Sequence, residues 1–180
     1  MARATTPFSG LTVLDFSRYL PGGYATQVLA DLGATVIKCE DTGAGDFMRH
    51  DYPTMGNGIS YYITALGRNK KSVSLNLKDQ EVVDWFLKMA KEADVIVESF
   101  RPGVTKKLGI DYETVNKINP GIIYCSISGY GAEDPRSKKA QHDLNMQATS
   151  GYLSVNHGGT SPLHLCDLSS GMVAGQAILA

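Results

Sequence analysis

Two short apolar runs, L-T-V-L-D-F at residues 11–16 and A-T-V-I-K-C-E at residues 34–40, bracket one helix-length segment, and this spacing restricts the fold more than any other feature of the chain. Each run is too short for a helix and reads as a buried strand. Between them, residues 17–23 carry Pro21 and two glycines, and residues 22–32 place Tyr24, Val28, Leu29 and Leu32 on one helical face. Gly33 supplies a left-handed cap. A strand–helix–strand unit this compact requires parallel strands joined by a right-handed crossover. The turn that opens the helix reads P-G-G-Y-A-T, which is not the G-x-G-x-x-G of a dinucleotide site. Two readings of it stay open: a tight turn, or free N–H groups at a helix start that face a phosphate, a carbonyl or a thioester.

The rest of the chain continues the alternation. Residues 41–67 form a long irregular segment, a length that inside a compact domain is usually functional or flexible. Arg68, Asn69, Lys70 and Lys71 make the densest basic cluster, either a solvated turn or a local anion site. Residues 72–77 alternate at period two and read as a strand. Residues 79–93 are the clearest helix, with Val82, Val83, Phe86, Met89, Ala90 and Ala93 in one stripe. Residues 94–100 form a strand that runs into a Gly/Pro turn with basic residues, 112–118 a short helix and 122–128 another buried strand. Residues 143–153 have the apolar spacing of a short helix, and the apolar run 162–166 precedes a helix that restarts after Asp167. This order predicts an α/β domain with a doubly wound, mostly parallel sheet, whose ligand sites lie beyond the C-terminal strand ends. Residues 1–7 read as a polar, poorly ordered leader. The last helix is still apolar at Ala180, so the chain reads as the front part of a longer protein.

Composition narrows the functions. Acidic and basic residues number 18 and 17, so no global field draws in nucleic acid or an anionic membrane, and any anion site must be local. Cys39, Cys125 and Cys166 are odd in number and far apart, which argues against a disulfide framework or a zinc site and for a reducing compartment. No secretory leader and no bilayer-length apolar run is visible, so the expectation is a cytoplasmic, soluble protein. The four histidines lack H-E-x-x-H spacing, and no metal site is expected. The residues with chemistry to offer are His142, Asp143 and Asp167. Asp167 should lie at or near a helix N-terminus, where backbone N–H groups favour a carboxylate anion. That is the address of a catalytic carboxylate and of an ordinary N-cap alike.

Seven segments in order carry a family likeness: G-L-T-V-L-D-F-S-R-Y-L-P-G-G, L-A-D-L-G-A-T-V-I-K-C-E, G-A-G-D-F-M-R, R-N-K-K-S-V-S-L-N-L-K, A-D-V-I-V-E-S-F-R-P-G-V-T-K-K-L-G, N-P-G-I-I-Y-C-S-I-S-G-Y-G and H-D-L-N-M-Q-A-T-S-G. The sequence resembles the family III CoA-transferases, the CaiB/BaiF group, which includes the α-methylacyl-CoA racemases. The resemblance implies a Rossmann-like large domain, of which residues 1–180 form the N-terminal part, with the small domain and the C-terminal return absent from this chain. It also implies a homodimer of interlocked chains. Asp167 matches the nucleophile of the transferases; in the racemases the same position and His142 are the two proton carriers. Coenzyme A contacts map to Leu20 and Pro21, to Leu75, Asn76, Leu77 and Lys78, to Ser99, Phe100 and Arg101, and to Lys107. Arg49 and the cluster Arg68–Lys71 become further phosphate partners, and the N–H groups near Gly22, Gly23 or Ser169 candidates for an oxyanion. Asp41 stands where some members carry an arginine that contacts the adenosine. Coenzyme A and acyl-CoA are implied as substrate, with no permanently bound cofactor and a small carboxylic acid as partner. The first expected activity is acyl-CoA:carboxylate CoA-transfer through a covalent aspartyl intermediate. The alternatives are racemisation by His142 and Asp167 at the thioester α-carbon, and a catalytically incomplete fragment that binds coenzyme A.

Overall fold

The computed structural model describes residues 6–180, so the first five residues of the expected leader lie outside the described residues. Five strands, β1 (Thr12–Phe16), β2 (Thr35–Glu40), β3 (Lys70–Ser74), β4 (Val95–Glu98) and β5 (Ile123–Ser126), form one sheet in the order β3-β2-β1-β4-β5. Every pairing is parallel. The chain winds outward from β1 to β3, then crosses back and resumes at β4 on the other side of β1. The order reverses between β1 and β4, which is where open α/β sheets hold their ligands.

Successive strand residues face opposite sides of the sheet, so each strand feeds two cores. On one side Val13, Val36, Val95 and Val97 pack with Leu29 and Ala30 of α1 (Tyr19–Asp31). Leu14, Phe16 and Ile96 face the other side, against Val83, Phe86 and Ala90 from a second helix. Next come the short α2 (Tyr61–Leu66) and, after β3, the longer α3 (Gln80–Glu92), which supplies that second stripe. Phe86 is fully buried and meets Phe16 edge-on at 5.0 Å, the arrangement that aromatic quadrupoles favour. Asp79 caps α3 by accepting from the Glu81 N–H at 3.0 Å.

The departures from expectation have local causes. Helix α1 begins at Tyr19, three residues early, because Pro21 in the first turn gives up an N–H that has no helical partner there. Gly22 therefore lies inside the helix, where a Cβ would stand 2.0 Å from the Ser17 Cβ. Strand β3 is displaced toward Lys70, whose ammonium turns inward and donates to the Gly23 carbonyl at 2.9 Å. The segment 41–67 holds a 3-10 turn at Phe47–Arg49 as well as α2. Helix α4 (Val104–Leu108) fills part of the expected turn after β4, and α5 (Tyr112–Asn116) follows it. The helix expected over 143–153 is two, α6 (Asp143–Thr149) and α7 (Tyr152–Val155), split at Gly151 with φ +83°. The last helix, α8 (Leu165–Leu179), starts two residues before Asp167. No helix among the described residues is long and apolar enough to cross a membrane.

Candidate active site

Asp167 owes its place to two glycines. A Cβ on Gly171 would stand 2.5 Å from the Pro21 carbonyl oxygen, and one on Gly175 would stand 3.8 Å from that of Ala25. Backbone thus meets backbone, and α8 runs alongside α1 in the same direction. Asp167, one turn before Gly171, is carried to the start of α1. That is also the end of β1, beside the reversal point of the sheet.

Asp167 lies in the first turn of α8, but it does not cap it. Asp143 caps the helix from a distance in sequence: its Oδ1 accepts the N–H of Cys166 at 2.7 Å and that of Asp167 at 3.1 Å. The other oxygen of Asp143 accepts from the Gln147 side-chain amide, and Gln147 in turn accepts the Ser161 N–H at 2.9 Å. Asp143 and Gln147 are both buried, so the approach to α8 is pinned to α6. One carboxylate oxygen each from Asp143 and Asp167 and one ring nitrogen of His164 lie within 4.8 Å of one another. Asp143 thus accepts three N–H donors, one on Oδ2 and two on Oδ1. Burial pushes the Asp167 carboxyl above the usual carboxylate range and Asp143 pushes it further, while His164 and His142 pull the other way. A carboxylate raised in energy at a helix N-terminus, beside a second carboxylate, is suited to act as nucleophile or base. His142 opens α6, and its ring meets that of Tyr19 edge-on at 6.4 Å.

The other expected residues are spread along the C-terminal edge of the sheet. Leu20 and Pro21 form the first turn of α1. Ser99, Phe100 and Arg101 follow β4; the Ser99 hydroxyl accepts the Arg18 N–H at 2.8 Å and ties β4 to β1 across the reversal point. Leu75, Asn76, Leu77 and Lys78 follow β3, and Lys107 is on α4. Lys78, Arg101 and Lys107 are exposed and make no ion pair among the described residues. The further basic residues are otherwise engaged. Arg49 grips Glu40, with its Nε donating at 2.6 Å; Arg68 pairs with Asp31 at 2.6 Å; and Lys70 is enclosed beside Asp15 at 3.2 Å. Lys71 and Arg68 are both exposed, but Lys71 makes no ion pair among the described residues, whereas Arg68 is tied to Asp31 and Lys70 is turned inward. Gly22 and Gly23 are buried within α1, which takes them out of the exposed turn in which an oxyanion was expected.

Three contributors were not anticipated in these roles: Asp143 as cap, His164 as neighbour, and Tyr19. The backbone of Tyr19 is left-handed at φ +61°, and its ring stacks on Phe47 at 5.5 Å. Residues held in that region cost about 1–3 kcal/mol and cluster at functional sites. Arg18 fills the same corner, paired with Asp41 at 2.8 Å, with its guanidinium 5.3 Å from Phe47 and 5.9 Å from Phe100.

Comparison with known proteins agrees with this architecture. The sequence pattern of CoA-transferase family III matches residues 8–180. Succinyl-CoA:glutarate CoA-transferase of Mus musculus is 40% identical over 183 aligned positions, which cover 97% of this chain and 41% of the mouse protein. Acetyl-CoA:oxalate CoA-transferase of Acetobacter aceti is 41% identical over 174, covering 92% and 44%. A crystal structure of a CAIB/BAIF family protein from Brucella suis superposes with a TM-score of 0.90 at 33% identity, over 97% of this chain and 48% of that one. One from M. tuberculosis gives 0.89 at 35%, over 97% and 50%. The chain spans half or less of the length of each of these relatives.

Proposed function

The chain belongs to CoA-transferase family III, and we propose that its site moves coenzyme A from an acyl thioester to a small carboxylic acid. The observation that carries this reading is the half-buried Asp167 carboxylate in the first turn of α8, pressed against Asp143. One oxygen of Asp167 attacks the thioester carbonyl, the C–S bond breaks, and coenzyme A leaves as a thiolate with a mixed anhydride in its place. The thiolate attacks the aspartyl carbonyl, releases the donor acid and leaves an aspartyl thioester. The acceptor carboxylate attacks that thioester to form a second anhydride, and the thiolate then takes the new acyl group and frees Asp167. Splitting the transfer in this way replaces one difficult step by several easier ones. Coenzyme A lies along the C-terminal edge of the sheet, with Lys78, Arg101 and Lys107 toward its phosphates and Leu20, Pro21, Leu75, Asn76, Leu77, Ser99 and Phe100 along its length. The Arg18–Asp41 pair faces the adenosine end. The names of the relatives point to dicarboxylic acids as acceptors. The remainder of the acyl pocket belongs to the additional length those relatives have, together with an interlocked second chain. Assayed alone, this chain binds coenzyme A and transfers little.

The test uses the full-length protein, a panel of acyl-CoA donors and labelled succinate, glutarate or oxalate as acceptor. Label should appear in a new thioester, and hydroxylamine should trap an adduct on Asp167. A wild type that forms no labelled thioester with any donor overturns the reading. A second reading, racemisation, draws on His142 standing near enough for its charge to act on Asp167. Exchange of the α-hydrogen of a 2-methylacyl-CoA in deuterium oxide, without acceptor and dependent on both residues, would establish it instead.

A further inference from the structure

The trio at the head of α8 has an unequal charge count. Two carboxylates, Asp143 and Asp167, each bring one oxygen within 4.8 Å of the other and of a ring nitrogen of the third member, His164. Neither carboxylate meets a lysine or an arginine in an ion pair among the described residues. Asp143 is stabilised by three N–H donors, whereas the Asp167 side chain has no hydrogen bond from any described group. His164 stands at the N-cap position of α8, yet its side chain makes no capping bond, so the cap does not explain why it is there. Its exposed ring meets that of Tyr62 of α2 edge-on at 6.4 Å. A separation within 4.8 Å is one that a single bridging water can span.

We infer that His164 is a positioning residue that holds Asp167 in its ionised form for attack on the thioester. The inference rests on the transferase reading of Asp167 but concerns a different side chain. A carboxylate crowded by a second carboxylate and by burial favours its neutral acid, which cannot attack a carbonyl. An imidazolium beside it restores the anion, and histidine is the side chain whose charge changes between about pH 5 and 8. The groups that face Asp167 are Asp143 and His142 from α6 and His164 from the start of α8; Tyr62 faces His164, and Tyr19 faces His142. His142 acts in the same sense, more weakly.

The decisive experiment compares wild type, His164→Gln and His164→Lys in the full-length protein by two readouts. The first is kcat/KM for CoA transfer from pH 5 to 8. The glutamine variant should lose about tenfold at the acidic end and converge on wild type by pH 8, and the lysine variant should recover the acidic limb. The second is the 13C carboxyl titration of Asp167 by NMR, which needs no activity and should move upward in the glutamine variant. A uniform loss at every pH, or an Asp167 titration that stays put, overturns the inference. If wild type transfers no coenzyme A, the transferase reading fails by itself, and the NMR titration still decides the role of His164.

Discussion

Beneath α1, Asp15, Lys38, Asp46 and Lys70 are closed off from water, and every charge there meets an opposite one. At the head of α8, Asp143, His164 and Asp167 are packed about as closely, but the surplus is negative and one side is open. In the first group Lys38 lies 2.8 Å from Asp46 and 3.7 Å from Asp15, and Lys70 lies 3.2 Å from Asp15. Thr26 adds a hydroxyl donor to Asp15 at 2.6 Å. Burial alone would favour the neutral Asp15 acid, yet Lys38 and Lys70 hold it below the usual carboxylate range. Burial works the same way on Asp167, and there Asp143 reinforces it. Aspartates thus serve opposite ends: paired with lysines they lock β1, β2 and β3 together, and without such partners one carboxylate is left raised in energy.

The contrast is sharpest in Asp167→Asn. CoA transfer by the full-length protein should fall by a factor on the order of 10³ or more, since the proposed nucleophile is gone. Its urea midpoint should stay level or rise, because the substitution relieves a like-charge contact. A clear loss of stability would make Asp167 a structural group like Asp15. Asp15→Ala should do the reverse and cost about 3–5 kcal/mol in chemical unfolding, the penalty of leaving buried ammonium groups without partners. An effect below about 1 kcal/mol would show that water reaches Lys38 and Lys70. Asp143→Ala should cost about 1–2 kcal/mol by exposing two N–H groups of α8, and it should lower the titration point of Asp167 by removing a like charge.

The smallest effect is one of pH. Glu40 is buried, which opposes its charge, but Arg49, Ser72 and the Asp46 N–H prevail and hold its carboxyl down to about 2, against an ordinary 4.5. A lowered carboxyl stabilises the fold above its unfolded value and ceases to do so as pH falls through its folded one. Stability should therefore decline between about pH 4.5 and pH 2 in wild type and decline less in Glu40→Gln. The raised Asp167 carries the opposite sign: its ionisation costs stability as pH rises through its folded value. The advantage of Asp167→Asn over wild type should then grow with pH in a series of urea titrations.

The sheet was legible in the sequence because its signals are local. Val13, Val36, Val95 and Val97 sit in short apolar runs, and the stripe of α3 needs only its own residues to be seen. The register of β3 was not legible, because it depends on where the Lys70 ammonium ends, and Asp15 is far away in sequence. Arg49 and Arg68 looked like free cations for the same reason; their partners Glu40 and Asp31 lie in other elements. Around Asp167 the short-range clue was the helix start and the long-range one was missing. Nothing local ties Asp143 to the N–H groups of Cys166 and Asp167. His164 and Asp167 have the i, i+3 spacing of helix neighbours, but that link appears only once α8 starts at Leu165, before Asp167 and not after it.

The contact of Gly171 and Gly175 with Pro21 and Ala25 joins nearly opposite ends of the described chain. During synthesis, α1 and the first strands are made long before their cover exists. Until α8 emerges and settles on α1, Asp167 has no neighbours to raise its energy. Contacts of such large sequence separation form late in folding. The raised energy of the Asp167 carboxylate is therefore acquired in the same event that closes the inner face of α1.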